Sequence, residues 1–152
     1  MNRNAFALVE MLTVMGIIAI LFSLSVPQLF RLRDRNSLQS ATTTMISFIR
    51  QQQLNAMNSP TLYGIHLGQS SYTRFTGSTY SFSNPTNNTT ALDYPIEITD
   101  VHIPSSTLIF ASGSGELVGY SEANNYFTLG DGVNNEHHTI QFNSLGVPTT
   151  VQ

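Results

Sequence analysis

The chain has 152 residues, with six arginines, no lysine, nine acidic residues and no cysteine. The absence of cysteine excludes disulfide bonds, thiolate metal ligands and a cysteine nucleophile. Residues 51–152 carry one arginine against seven acidic residues, a net charge of −6. Because binding to nucleic acid needs clustered Lys or Arg side chains to neutralise phosphates, no nucleic-acid partner is predicted.

The chain begins with a short polar segment, residues 1–5, which is followed by a long apolar stretch, residues 6–30. This stretch contains a single charged residue, Glu10. As a helix it would be about 37 Å long, enough to cross a bilayer core of about 30 Å. The composition therefore predicts a membrane-spanning helical segment over residues 6–30, preceded by a leader peptide.

Two interpretations of this leader remain open. In the first, an ordinary signal peptide uses the small residues Ser23 and Ser25, and the mature product is a soluble secreted β-rich binding protein that starts near Val26. In the second, the chain is cut between Ala5 and Phe6. The new ammonium group of Phe6 then lies four residues from Glu10 on one helical face. Since a carboxylate at bilayer depth costs about 2.5 to 3.5 kcal/mol, the lone Glu10 favours this second interpretation.

Two residues predict a weak point in the apolar helix. Pro27 removes a backbone donor and clashes with the carbonyl of Ser23, which predicts a kink. Gly16 weakens the helix further towards the N-terminus.

The segment FALVEMLTVMGIIAILFSLSVPQ resembles the N-terminal methylation segment of type IV prepilins and type II secretion pseudopilins. Phe6, Glu10 and Pro27 carry the resemblance. It implies cleavage after Ala5 by a prepilin peptidase, methylation of the Phe6 amine and assembly of the helix into a filament core. The neighbouring subunit's Phe6 ammonium would then pair with Glu10 and set the axial register. Ala5 departs from the family, which usually has Gly before the cut.

The resemblance also implies partners and a location. The partners are the prepilin peptidase, other pilin or pseudopilin subunits and the inner membrane before assembly. The subunit would cross the cell membrane once, with its N-terminus cytoplasmic, and would later belong to an extracellular or periplasmic filament. Arg31, Arg33 and Arg35 follow the apolar stretch and, by the positive-inside rule alone, would mildly favour the opposite orientation.

Residues 31–59 predict an amphipathic continuation of the helix. Apolar and long side chains recur there at steps of mostly three and four residues, which is the spacing of a face that packs on a sheet. They are Leu32, Leu38, Ala41, Met45, Phe48, Ile49, Gln52 and Ala56. Asn58, Ser59 and Pro60 predict the end of the helix, because the residue before a proline avoids helical geometry.

Residues 60–152 predict a β-rich globular domain. Short β-branched or alternating runs are separated there by clusters of Gly, Asn, Ser and Pro. The predicted strands are 61–67, 71–75, 79–82, 96–103 with a break at Asp100, 107–110, 116–120, 126–129, 138–142 and 147–151. The predicted fold class is therefore α+β: a long N-terminal helix, with a membrane half and an amphipathic half, packed on an antiparallel β-sheet in a pilin-like arrangement.

A weak internal repeat predicts two similar hairpins. Residues 107–118 and 139–147 each read as a strand, a glycine turn and a strand, with Gly115 and Gly146 supplying the positive φ of the turns. Together with the junction IRQQQLNAMNSPTLYGIHL, this pattern resembles the GspH/FimT group of pseudopilins. Some members of that group bind DNA through basic residues near the C-terminus, and the matching residues here, GVPTTVQ, contain none.

No catalytic residue, cofactor or metal site is predicted, and the chain is not expected to be an enzyme. Ser112 lies in a turn sequence without a nucleophile motif. His137 and His138 are adjacent, so on a strand their side chains face opposite sides. The oxygen-rich loop from Asp131 to Glu136 lacks a matched calcium motif and is predicted to be a solvated turn.

Overall fold

The structure is a computed structural model that describes the backbone of residues 3–151 and the side chains of residues 9–23 and 37–149. The chain divides into two compact units, Met1–Asn36 and Ser37–Gln152. Helix α1, Arg3–Met57, contributes residues to both. Among the residues that the structure describes, no helix is both long and apolar enough to cross a membrane.

The described residues of the second unit form eight strands in two antiparallel sheets. The first sheet has the order β3-β2-β1-β5, and the second has the order β4-β6-β7-β8. The strands are β1 (Tyr63–Leu67), β2 (Ser71–Thr76), β3 (Asn88–Ala91), β4 (Ile96–His102), β5 (Thr107–Phe110), β6 (Tyr126–Asp131), β7 (His137–Phe142) and β8 (Pro148–Val151), and a 3₁₀ turn, Pro104–Ser106, precedes β5.

The predicted fold class is wrong. The β domain is built from two sheets instead of one, only residues 37–57 of α1 belong to it, and the described residues contain no candidate for the predicted membrane half. In the first sheet, β2 pairs with one edge of β1 and β5 pairs with the other. The first sheet ends at β3 and β5, and strand β4 pairs with β6 in the second sheet.

Residues 37–57 of α1 supply one side of the core. Leu38, Met45, Ile49 and Ala56, all predicted to face the sheet, are fully buried and share one cluster with side chains of both sheets.

Thr42 is also buried in this face of the helix. Its hydroxyl donates to the Leu38 carbonyl at 2.8 Å, so Nδ1 of His138, 3.0 Å away, must donate to the Thr42 oxygen. This hydrogen bond links the helix to β7.

Most predicted strands are found, but three predictions fail. Residues 79–82 and 116–120 form no strand, although Leu117 makes one bridge to Phe110. Strand β3 lies between the predicted strands 79–82 and 96–103, where no strand was predicted. The predicted break at Asp100 is confirmed, since its φ is +47° and the pairing register shifts between Thr99 and His102. Aspartate tolerates this left-handed conformation better than most residues.

The two predicted glycine turns meet at the end of α1. Gly115 and Gly146 have φ values of +70° and +74°, which confirms that both turns need the left-handed conformation. The side-chain amide of Gln53 donates to the Gly115 carbonyl at 3.0 Å and to the Leu145 carbonyl at 2.7 Å. Gln53 therefore uses both of its amide hydrogens. It links the turn after β5 to the turn between β7 and β8.

Candidate functional site

The first unit presents a helix surface that is apolar on every side. All residues from 9 to 23 are exposed. The ten large apolar side chains among them are 47% to 68% exposed: Val9, Met11, Leu12, Val14, Met15, Ile17, Ile18, Ile20, Leu21 and Phe22. A helix that is hydrophobic all round is normally buried in a core or in a membrane. We call residues 9–23 the apolar helix surface.

Glu10 is the single charged residue of this surface. Its side chain is exposed between Val9 and Met11, which are 65% and 67% exposed. The two hydroxyl side chains of this surface are satisfied within the helix, since the Thr13 hydroxyl donates to the Val9 carbonyl at 2.7 Å and the Ser23 hydroxyl to the Ile20 carbonyl at 2.8 Å. Burial of this surface would therefore leave the Glu10 carboxylate as the group that most needs a partner.

The other predicted residues of the assembly site lie partly outside the described side chains. The backbone of Ala5, Phe6, Gly16 and Pro27 belongs to α1. The side chains of Ala5, Phe6 and Pro27 are outside the described residues. At Gly16, a methyl group added to the Cα atom would meet no atom within 4 Å, so this position leaves room for the close approach of another helix.

The histidines of the second unit do not converge. His138 bonds to Thr42, and the neighbouring His137 is exposed opposite Gly130. His66 and His102 lie on strands of different sheets. Within the described part of the chain, no three His, Cys, Asp or Glu side chains are grouped so that they could hold a metal ion.

The loop after β6 differs from the predicted solvated turn, because its first carboxylate is buried. Asp131 is only 2% exposed, and its oxygens accept hydrogen bonds from the N–H groups of Val133 and Asn134 and from the Asn134 side-chain amide. Burial alone would raise the pKa of Asp131, but these hydrogen bonds together hold it below the usual value. Ionised Asp131 thus stabilises the fold at neutral pH, and this contribution is lost as the pH falls through the depressed pKa.

Gln53 and Asp131 have structural roles that the sequence did not predict. In the sequence, Gln53 is one of several polar residues near the end of a helix. Its role in joining two turns appears only in the fold, where the carbonyls of Gly115 and Leu145 both lie within reach of its amide. The aspartate lay in a loop rich in Asn and Gly, where a solvated carboxylate is the ordinary expectation.

Comparisons of the chain with protein-family models, with curated proteins and with solved structures gave no significant match in any of the three.

Proposed function

We propose that the chain is a structural subunit of a type IV pilus or a type II secretion pseudopilus, processed by a prepilin peptidase and assembled through its N-terminal helical segment. The observation that carries this proposal is the apolar helix surface with its one carboxylate, Glu10. A monomer in water gains nothing from exposing ten large apolar side chains on one helix. Copies of the same segment would bury them in a filament core.

The apolar side chains provide enough free energy to matter for assembly. Burying the exposed half of such a side chain is worth about 1 kcal/mol, so ten of them contribute on the order of 10 kcal/mol. The loss of translational and rotational freedom on association costs about 4 to 15 kcal/mol. The two terms are comparable, so the apolar surface can drive assembly only when most of it is covered by neighbouring subunits.

Glu10 gives this non-directional association a fixed register. An ionised carboxylate buried without a partner costs several kcal/mol. Cleavage between Ala5 and Phe6 creates an ammonium that can pair with Glu10 of its own chain or of a neighbour, and the amine stays protonated when it carries one methyl group. The pair with a neighbour sets the register, because a slip along the helix axis would break it.

A charge placed on the apolar helix surface is expected to block assembly. Ile17, 54% exposed, and Leu54, 56% exposed in the second unit, form a matched pair of sites. We expect Ile17→Arg to lower the amount of subunit in filaments sheared from cells at least tenfold, because a charge buried without a partner in the proposed filament core costs several kcal/mol. Leu54→Arg should assemble like the wild type.

Immunoblotting of the sheared and membrane fractions with an antibody against the second unit measures both variants. Equal incorporation of Ile17→Arg and Leu54→Arg would contradict a filament core formed by the apolar helix surface. Absence of the wild-type chain from every sheared filament, while it is exported in soluble form, would favour the secreted binding protein.

A further inference from the structure

The second unit contains a cavity of about 340 Å³ beside His66. Its size is at the lower end of the pockets that hold small molecules. The apolar part of its lining comes from Ile103, Ile109, Leu117 and Val118. None of the residues that line it is Asp, Glu, Lys or Arg, so the cavity favours an uncharged occupant.

A chain of hydrogen bonds fixes the tautomer of His66. The Thr107 hydroxyl donates to the Ser105 carbonyl at 2.8 Å, so it cannot also donate to the histidine. Nδ1 of His66, 3.0 Å from the Thr107 oxygen, must therefore donate. Nε2 is then the unprotonated nitrogen, and it has no hydrogen-bond partner within the described residues.

The ring of His66 is also held in place by an aromatic neighbour. Tyr80 stacks on it with ring centroids 4.0 Å apart and an interplanar angle of 10°. Tyr80 in turn lies against Phe75, with centroids 5.6 Å apart. Partial burial lowers the pKa of His66, which keeps the ring neutral. The cavity thus combines apolar walls with the neutral ring of His66, whose position and tautomer are fixed, and its polar lining is completed by uncharged side chains such as Ser78 and Asn124.

We propose that this cavity binds a small uncharged ring compound with one hydroxyl group, of the phenol class, whose hydroxyl donates to Nε2 of His66 while the ring lies against Ile109, Leu117 and Val118. A ring without the hydroxyl would cover the same walls but would bury Nε2 without a donor. An unpaired buried acceptor is costly, so the hydroxyl is expected to give about tenfold tighter binding. This site is independent of the proposed role in filaments.

The test compares p-cresol with toluene, which differ by that hydroxyl. Both are titrated into the full chain in detergent micelles, at free concentrations measured by dialysis, while NMR follows the side-chain nitrogens of His66. We expect p-cresol to shift the Nε2 resonance and to bind about tenfold more tightly than toluene. No shift at His66, or equal affinity for the two compounds, would overturn the proposal.

Three variants locate the binding. Val118, 52% exposed at the cavity, and Val133, 61% exposed in another loop, are a matched pair for substitution by tryptophan. Val118→Trp should abolish p-cresol binding and Val133→Trp should preserve it. His66→Phe keeps a ring against Tyr80 but removes the acceptor, so its affinity for p-cresol should fall to that for toluene. Unchanged binding in Val118→Trp or in His66→Phe would refute the site.

Discussion

In the proposed pilus or pseudopilus, replacing Glu10 with valine is expected to leave the amount of subunit in the cell unchanged and to remove the subunit from filaments. The substitution adds an apolar side chain to a helix surface that is already apolar, so the helix itself should not be disturbed. In the proposed filament core it would leave the neighbour's Phe6 ammonium buried without a partner, which costs about 3 to 5 kcal/mol. Incorporation should fall more than a hundredfold, since each 1.4 kcal/mol is about a factor of ten.

Two further variants separate charge from shape at this position. Glu10→Gln keeps the size of the side chain and loses its charge, and it should fail as Glu10→Val does. Thr13→Ala removes a polar group one turn away whose hydroxyl bonds only within its own helix, to the Val9 carbonyl, and it should assemble normally. Filament and membrane fractions are quantified by immunoblotting. Normal filaments from Glu10→Val or Glu10→Gln would refute the register role.

Gly64→Ala is expected to destabilise the second unit by about 3 kcal/mol or more, because overpacking at a site with no room to relax exceeds the usual penalty. Gly64 lies in β1 directly opposite Phe75 of β2 and is buried. A methyl group at this position would overlap Cζ of the Phe75 ring, and it would lie 2.6 Å from Cε1 and 2.7 Å from the Leu108 carbonyl oxygen. The carbonyl belongs to the paired backbone of β5 and cannot move away easily.

A second strand glycine provides the control. Gly130 in β6 is also buried, but a methyl group there would lie 3.5 Å from its nearest neighbours, His137 and Thr99, which is an ordinary contact. We expect Gly130→Ala to change the free energy of unfolding by less than about 1 kcal/mol. Denaturant unfolding measures both variants. Equal stability of Gly64→Ala and Gly130→Ala would show that the Phe75 ring does not occupy the space above Gly64.

The packing face of residues 37–57 could be predicted because helical periodicity is local. The spacing of Leu38, Met45, Ile49 and Ala56 alone identifies them as core positions, and all are buried. The division into two sheets could not be predicted, since it depends on which strand edges pair. Strand β5 returns to β1 across more than thirty intervening residues, and no local pattern marks Thr107 as the partner of His66.

The polar edge strand β3 and the cavity beside His66 could not be predicted from the sequence, because both depend on contacts between residues that are distant in the chain. Strand β3 has the sequence NTTA, typical of a loop, and becomes a strand through its pairing with β2 and the contact between the Thr73 and Thr89 hydroxyls at 2.9 Å. The acceptor at His66 likewise needs Thr107 and Tyr80, which are distant in sequence. The proposed assembly site rests almost entirely on the sequence, because the chemistry of Phe6, Glu10 and the apolar residues around them is local.

The mass of the N-terminal peptide of the exported protein tests the proposed filament assembly most directly. Filament assembly through Glu10 requires a free amine on Phe6, so we expect a mature chain that begins at Phe6 and carries one additional methyl group on its amine. A mature N-terminus near Val26 would contradict assembly through this segment, because the apolar helix surface and Glu10 would then be absent from the exported protein.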